Sequence, residues 1–249
     1  MRLRFFLFIS ALFFLYACRK DKPVEKDEPA PVIAAGGGMY IVNEGNYLFG
    51  NAKISYYNFA NGTATEDIFE PANSYPLGDV AQSMSIFNNK AYIVVNNSGK
   101  IEVLDPLSFN VSATITGFTS PRYFLPVSNG KAYVTDLFSN TISIVDLSNN
   151  TISGSIPCFG WSEELVLAYG KVFVTNQNSD KVYVINTTND IIEDSISVGY
   201  ASNSIREDNN GKLWVLSSGD QTSQYPFLTR IDPVNNTIEA SFQFPNMAD

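Results

Sequence analysis

Gln82, Arg122, Glu163 and Asn203 recur 40, 41 and 40 residues apart. A carboxylate, a guanidinium and two amides at a near-constant period mark one place in a repeated unit. Gathered around an axis, they would face a central channel and hold a ligand by hydrogen bonds and charge. Phe118, Phe159 and Tyr200 keep the same period, 41 and 41. Repeat packing explains such rings, so these three are expected to wedge between neighbouring units. Phe49, Tyr75, Phe138, Trp161 and Tyr225 break the period and are the better candidates for ligand contact. Glu44 joins them from the loop Glu44-Gly45-Asn46-Tyr47-Leu48-Phe49. Aromatic walls with a few placed polar groups are the usual makeup of a site for a flat or saccharide-like organic molecule.

Other chemistries are excluded or thinly supported. The chain has no histidine, so no Ser-His-Asp or Cys-His nucleophile and no histidine metal ligand exists. Its net charge of −9 disfavours nucleic acid, which needs clustered Lys and Arg. Asp105, Asp146 and Asp232, with Asn58 and Asn186 at the same place in the unit, could be read as an acidic ring. Each precedes residues such as Pro-Leu-Ser or Leu-Ser-Asn, so each is expected to open a turn. Glu163, Asn203 and Gln82 offer one carboxylate, too little for a calcium site. There is no phosphate-binding loop, no Cys-x-x-Cys and no Gly-x-Ser-x-Gly. No cofactor, no metal and no catalytic residue is expected.

The elements that position these residues repeat as well. Lys90, Lys131, Lys171 and Lys212 are spaced 41, 40 and 41, each opening an apolar strand. A fixed period near 40 residues, with turns every 8 to 12, predicts an all-β propeller of four-stranded antiparallel blades. A two-sheet sandwich does not predict that echo. In the unit at residues 121–160, residues 123–128 form the innermost strand and Asn129-Gly130 a two-residue type I′ turn. Residues 131–135, 141–146 and 151–156 are the other three strands. In the first unit residues 64–69 are read as the fourth strand. About five units are present, near 39–79, 80–120, 121–160, 161–200 and 201–249. The first lacks its own innermost strand, and the last ends where another would begin. A chain incomplete at its C-terminus is expected; a five-bladed ring is the alternative.

Phe173-Val174-Thr175-Asn176, Tyr133-Val134-Thr135-Asp136 and Tyr40-Ile41-Val42-Asn43 resemble the YVTN, or YncE-like, β-propeller repeat family. The strands ending Ile144-Val145-Asp146 and Val184-Ile185-Asn186 resemble that family's next piece. The resemblance covers about residues 39–249. It implies the propeller fold and leaves function open, because such propellers serve many ends.

The N-terminus carries Arg2 and Arg4, an apolar run over 5–16, and Leu15-Tyr16-Ala17-Cys18. The layout is that of a secretory signal, and its ending resembles a bacterial lipobox. Residues 1–17 are therefore read as a signal peptide, Cys18 as the lipidated residue, 18–38 as a charged, Pro- and Gly-rich tether, and 39–249 as the propeller. An outer-membrane lipoprotein exposed at the cell surface is expected, held to the membrane by its lipid. Cys158 is then a lone thiol, read as a small buried residue. Some surface propeller lipoproteins of the resembled family bind corrinoids and hand them to an outer-membrane transporter. The resemblance thus implies a non-enzymatic protein that captures a corrinoid-like or other organic ligand. The alternatives are a lactonase-like or quinone-dependent propeller enzyme and a scaffold binding glycan or protein.

Overall fold

Short strands of alternating side chains, closed by tight turns, build five antiparallel sheets in chain order. The computed structural model describes residues 37–220 and 222–246. The signal-like segment, Cys18 and the tether up to residue 36 lie outside the described residues. The first blade has β1 (Gly38–Asn43), β2 (Lys53–Asn58) and β3 (Thr63–Thr65), followed by the short helix α1 (Phe69–Asn73). The second has β4 (Ala81–Phe87), β5 (Lys90–Val95), β6 (Lys100–Leu104) and β7 (Val111–Thr116). The third has β8 (Pro121–Ser128), β9 (Lys131–Asp136), β10 (Thr141–Asp146) and β11 (Thr151–Pro157). The fourth has β12 (Ser162–Ala168), β13 (Lys171–Asn176), β14 (Lys181–Asn186) and β15 (Ile191–Ser197). The fifth has β16 (Ser202–Glu207), β17 (Leu213–Ser217), β18 (Phe227–Asp232) and β19 (Thr237–Gln243). Strands pair only with sequence neighbours inside a blade, and the innermost strands β4, β8, β12 and β16 stand side by side. The architecture is a β-propeller, as the period predicts.

In the second, third and fourth blades the second strand has no solvent side. In β5, β9 and β13 every residue after the lysine is buried. The two-residue side-chain period sends alternate positions to opposite blades. Ala91, Ile93 and Val95 pack with the first blade, while Tyr92 and Val94 pack with the third. The core is thus a series of four clusters, one at each junction between consecutive blades. Each large aliphatic or aromatic side chain so buried contributes roughly 1.5–3 kcal/mol. Among the described residues no cluster joins the fifth blade to the first.

Two local expectations need correction. Residues 64–69 do not form a full strand: β3 stops at Thr65 and the chain turns into α1. Asp67 drives the turn, its Oδ1 accepting from the amides of Phe69 at 3.0 Å and Glu70 at 3.3 Å. Asn73 then ties the helix to the second blade, donating to Phe109 O at 3.0 Å. The Asn129-Gly130 turn is not type I′, because neither residue has positive φ. Positive φ at both turn residues occurs instead at Asn88-Asn89 (47° and 56°) and Tyr169-Gly170 (49° and 75°). A register shift between Pro126 and Ser128 accompanies the different turn in the third blade.

Candidate functional site

The mouth of each innermost strand is irregular. Register shifts fall between Ala81 and Ser83, Pro121 and Phe124, Ser162 and Leu165, and Ser202 and Ser204. A bulge re-aims side chains out of strict alternation. At the mouth of the fourth blade Ser162, Glu163 and Glu164 are all buried.

Three of the four periodic polar residues meet. Arg122 Nε donates to Glu163 Oε2 at 2.9 Å, and Nη2 lies 2.5 Å from Oε1. Nη1 donates to Gln82 Oε1. Trp161 Nε1 donates to the same Glu163 carboxylate, and the Arg122 guanidinium lies 5.5 Å from the Trp161 ring centroid. Strands of the second, third and fourth blades thus contribute to one network. The pair is fork-shaped and charge-assisted, and little of it is open to water. Asn203 is not brought into it. Its Nδ2 donates to Ser218 Oγ, and its buried Oδ1 has no partner among the described residues.

Three further residues belong to this mouth and escape the periodic reading. Burial, then the charges of Glu164 and Glu163, push the Tyr123 phenol up. Glu164 accepts from Ser204 Oγ and from the Ile205 amide, each at 2.9 Å, and from Arg206 Nη2 at 2.8 Å. The Glu164 hydrogen bond holds the Arg206 guanidinium above its usual range. The signal available was the doubled acid Glu163-Glu164, whose two carboxylates find arginines on opposite neighbouring blades.

The aromatic candidates divide. Phe138 and Phe159 are 75% and 76% exposed. They stand on loops tied to each other: Gly160 N donates to Asn140 Oδ1 at 3.1 Å and Cys158 N to Asn140 O at 2.9 Å. The loop of Phe159 also carries Trp161, whose amide donates to Asn178 Oδ1 at 2.7 Å. Of the periodic rings, Phe118 wedges into the cluster between the second and third blades, as expected. Phe159 does not wedge: it is left out of the clusters between blades and stays exposed. Tyr200 is also partly exposed. Phe49 is exposed at the tip of a loop pinned by Asp79, which accepts from the Leu48 amide at 2.9 Å. Tyr75 packs edge-on against Phe69, with Lys100 Nζ 5.9 Å above its ring and the buried Glu102 beyond. Glu44 is exposed, and Tyr225 is half-buried beside the Asp220 turn of the fifth blade. None of these last four touches the Arg122 network through the described hydrogen bonds.

The strand-end acids are turn openers. Asp105 Oδ1 accepts from the amides of Leu107 at 3.0 Å and Ser108 at 2.7 Å, and Asp146 Oδ1 from Ser148 at 2.8 Å. Asp232, Asn58 and Asn186 do the same two residues on. Among the described residues no three His, Cys, Asp or Glu side chains converge as metal ligands. No described helix is long and apolar enough to cross a membrane. The buried Cys158 thiol is pushed up to about 11, chiefly by burial.

No curated protein matches the chain in sequence. Solved structures match in fold. Virginiamycin B lyase from Staphylococcus aureus is 16% identical with a TM-score of 0.63, covering 86% of this chain and 69% of its own. The Pan2 WD40 domain of Neurospora crassa is 12% identical with a TM-score of 0.63, covering 84% of this chain and 67% of its own. Kuenenia stuttgartiensis hydrazine synthase is 14% identical with a TM-score of 0.58; the match covers 68% of this chain but only 53% of that one. Identities this low carry the propeller fold alone. In sequence, a family model described as "Domain of unknown function (DUF5074)" matches residues 37–246, and the chain belongs to that family.

Proposed function

We propose that the chain is a ligand-binding propeller that captures an organic molecule on the face bearing Arg122 and Phe159. One observation carries the reading. Two phenylalanines that are three-quarters exposed, Phe138 and Phe159, sit on loops tied together by hydrogen bonds, beside a Trp161–Arg122–Glu163–Gln82 unit whose members bond one another. Exposed rings on a rigid base favour a flat or sugar-like ligand and lose little entropy on binding. The unit beside them balances one guanidinium against one carboxylate and so carries no net charge, which suits a neutral, hydrogen-bonding ligand.

No catalytic step is assigned. Glu163 and Glu164, the buried acids at this mouth, are each bonded to an arginine. Within this reading the chain is a YVTN-like propeller tethered to the outer membrane through lipidated Cys18. A corrinoid is the first ligand to test, and an outer-membrane transporter the partner that would receive it. Calorimetric titration with cyanocobalamin at tens of micromolar, alongside a glycan array, tests the site. Heat with one probe, lost in Phe159→Ala, supports capture. Silence from both overturns it. Loss of palmitate labelling in Cys18→Ser tests the anchor.

A further inference from the structure

The loop that carries Phe159 is held by its backbone from the blades on both sides. On the third-blade side, Cys158 N donates to Asn140 O at 2.9 Å and Gly160 N to Asn140 Oδ1 at 3.1 Å. On the fourth-blade side, Trp161 N donates to Asn178 Oδ1 at 2.7 Å and Asn176 Nδ2 to Phe159 O at 3.0 Å. Gln177 N adds a bond to Trp161 O at 2.9 Å. Asn178 sits tightly against this loop, since a Cβ added to Gly160 would lie 3.1 Å from the Asn178 Cβ. The backbone is thus fixed while the Phe159 ring stays 76% exposed.

The same bonds decide how two amides face. A backbone N–H can only donate, so the atom it meets in Asn140 and in Asn178 is the carboxamide oxygen. The NH2 group of each is therefore turned from the backbone amide that the residue holds. Both residues are exposed, and no described residue accepts from either Nδ2. Asn140 flanks Phe159 from the third blade and Asn178 from the fourth, so the ring stands between two donors. The exposed Phe138 ring lies two residues before Asn140. Residues 137–140, 158–161 and 177–179 include no charged side chain.

This pattern selects a chemistry. A ligand lying on Phe159 shields the flanking NH2 groups from water, and a donor left without an acceptor there costs affinity. The ligand must carry acceptors next to an apolar patch. A carboxylate or phosphate would give up its hydration with no cation on these loops to replace it. An acetamide group matches: its carbonyl oxygen accepts from the amide, and the methyl or methylene beside it packs on the ring. A plain sugar hydroxyl brings the acceptor without the apolar neighbour.

We propose that this site recognises uncharged acetamide groups, with Asn140 and Asn178 donating to their carbonyls and Phe138 and Phe159 covering their apolar side. Acetamido sugars carry such groups, and so do the amide arms of a corrinoid. The assignment rests on the ligand-capture reading above and names the group that is read.

Calorimetric titration with tetra-N-acetylchitotetraose, cellotetraose and cyanocobalamin tests it. The first or the third should bind at least ten-fold tighter than cellotetraose, which has the same linkage as the first and no amide; which of the two binds identifies the source. Asn140→Asp and Asn178→Asp keep an oxygen for the Gly160 and Trp161 amides and replace the outward donor with an acceptor. Each should hold the parent's urea midpoint and weaken binding at least ten-fold. In the nitrogen-15-labelled parent the side-chain NH2 signals of both asparagines should shift when the bound probe is added, a readout that needs no variant to fold. Equal binding of cellotetraose, undiminished binding by either variant, or unmoved NH2 signals overturns the proposal and leaves ligand capture standing. Silence from all three probes overturns both.

Discussion

Arg122 and Glu163 lie 2.5 Å apart between Nη2 and Oε1, on the innermost strands of adjacent blades, and neither is more than about one-sixth exposed. The pair welds the third blade to the fourth at the channel mouth, and Trp161 and Gln82 complete its hydrogen bonding. Buried ion pairs add little net stability, but losing one partner leaves a desolvated charge behind.

Arg122→Met should therefore destabilise the protein by about 3 kcal/mol, and Glu163→Leu by a similar amount. The double substitution should cost clearly less than the sum of the two. Urea unfolding of all four proteins gives the coupling energy directly. Additive losses would show that the two side chains do not act as a pair.

Phe138→Ala and Phe159→Ala should leave unfolding within about 0.5 kcal/mol of the parent, because both rings are already in water. Ligand affinity should fall at least ten-fold in each. A variant that loses stability in step with affinity would place these rings in the fold and not in the site.

What the sequence made legible follows from which forces are local. The turn role of Asp105 and Asp146 was readable because the bonded amides lie two or three residues away. That Arg122 and Glu163 lie at equivalent places on neighbouring strands was readable from the fixed period; that they bond each other instead of standing free for a ligand was not. Nor was the role of Glu164, because its partner Arg206 stands outside the periodic set of Gln82, Arg122, Glu163 and Asn203. Asn203 shows the converse limit: it keeps the period but bonds Ser218 in its own blade. The first blade's fourth strand was misread because residues 64–69 have strand-like composition, while Asp67 Oδ1 accepts from the amides of Phe69 and Glu70 and turns the chain into α1.

Ser202 Oγ lies 2.9 Å from the Asn176 amide and 3.0 Å from Lys181 O, all within the fourth-to-fifth junction. Asn176 and Ser202 are both 0% exposed. Ser202→Ala should leave a buried N–H unpaired and cost about 1–3 kcal/mol. Ser112→Ala, which removes a hydroxyl from an exposed position, serves as the control and should cost far less. Equal losses would mean that the buried amide finds another partner.

Acid should weaken the protein in a defined window. Hydrogen bonds from Ser108 hold the Asp105 carboxyl below its usual range, those from Ser148 do so for Asp146, and those from Asn235 and Lys212 for Asp232. A carboxyl lowered by folding contributes stability above its unfolded pKa of roughly 4, and that contribution fades as pH falls through the lower folded value. Urea midpoints should thus be flat from pH 7 to about pH 5 and fall below about pH 4. Asp105→Ala should flatten the fall while lowering the plateau. An unchanged slope in that variant would mean the acid sensitivity arises elsewhere.

Cys158 is 2% exposed and its thiol is pushed up to about 11, first by burial. The thiolate is the nucleophile, so at pH 8 almost none is available and little of it is reachable. In a Cys18→Ser background, the native chain should show no reaction with a disulfide reagent over an hour, and one thiol should appear on unfolding in urea. The rate of appearance then reports opening of the junction between the third and fourth blades, because Cys158 sits in their shared cluster with Tyr133, Val172 and Val174. Arg122→Met should accelerate it, since Arg122 and Glu163 close the same junction from the channel side. Prompt reaction in the folded parent would mean that this junction opens without unfolding.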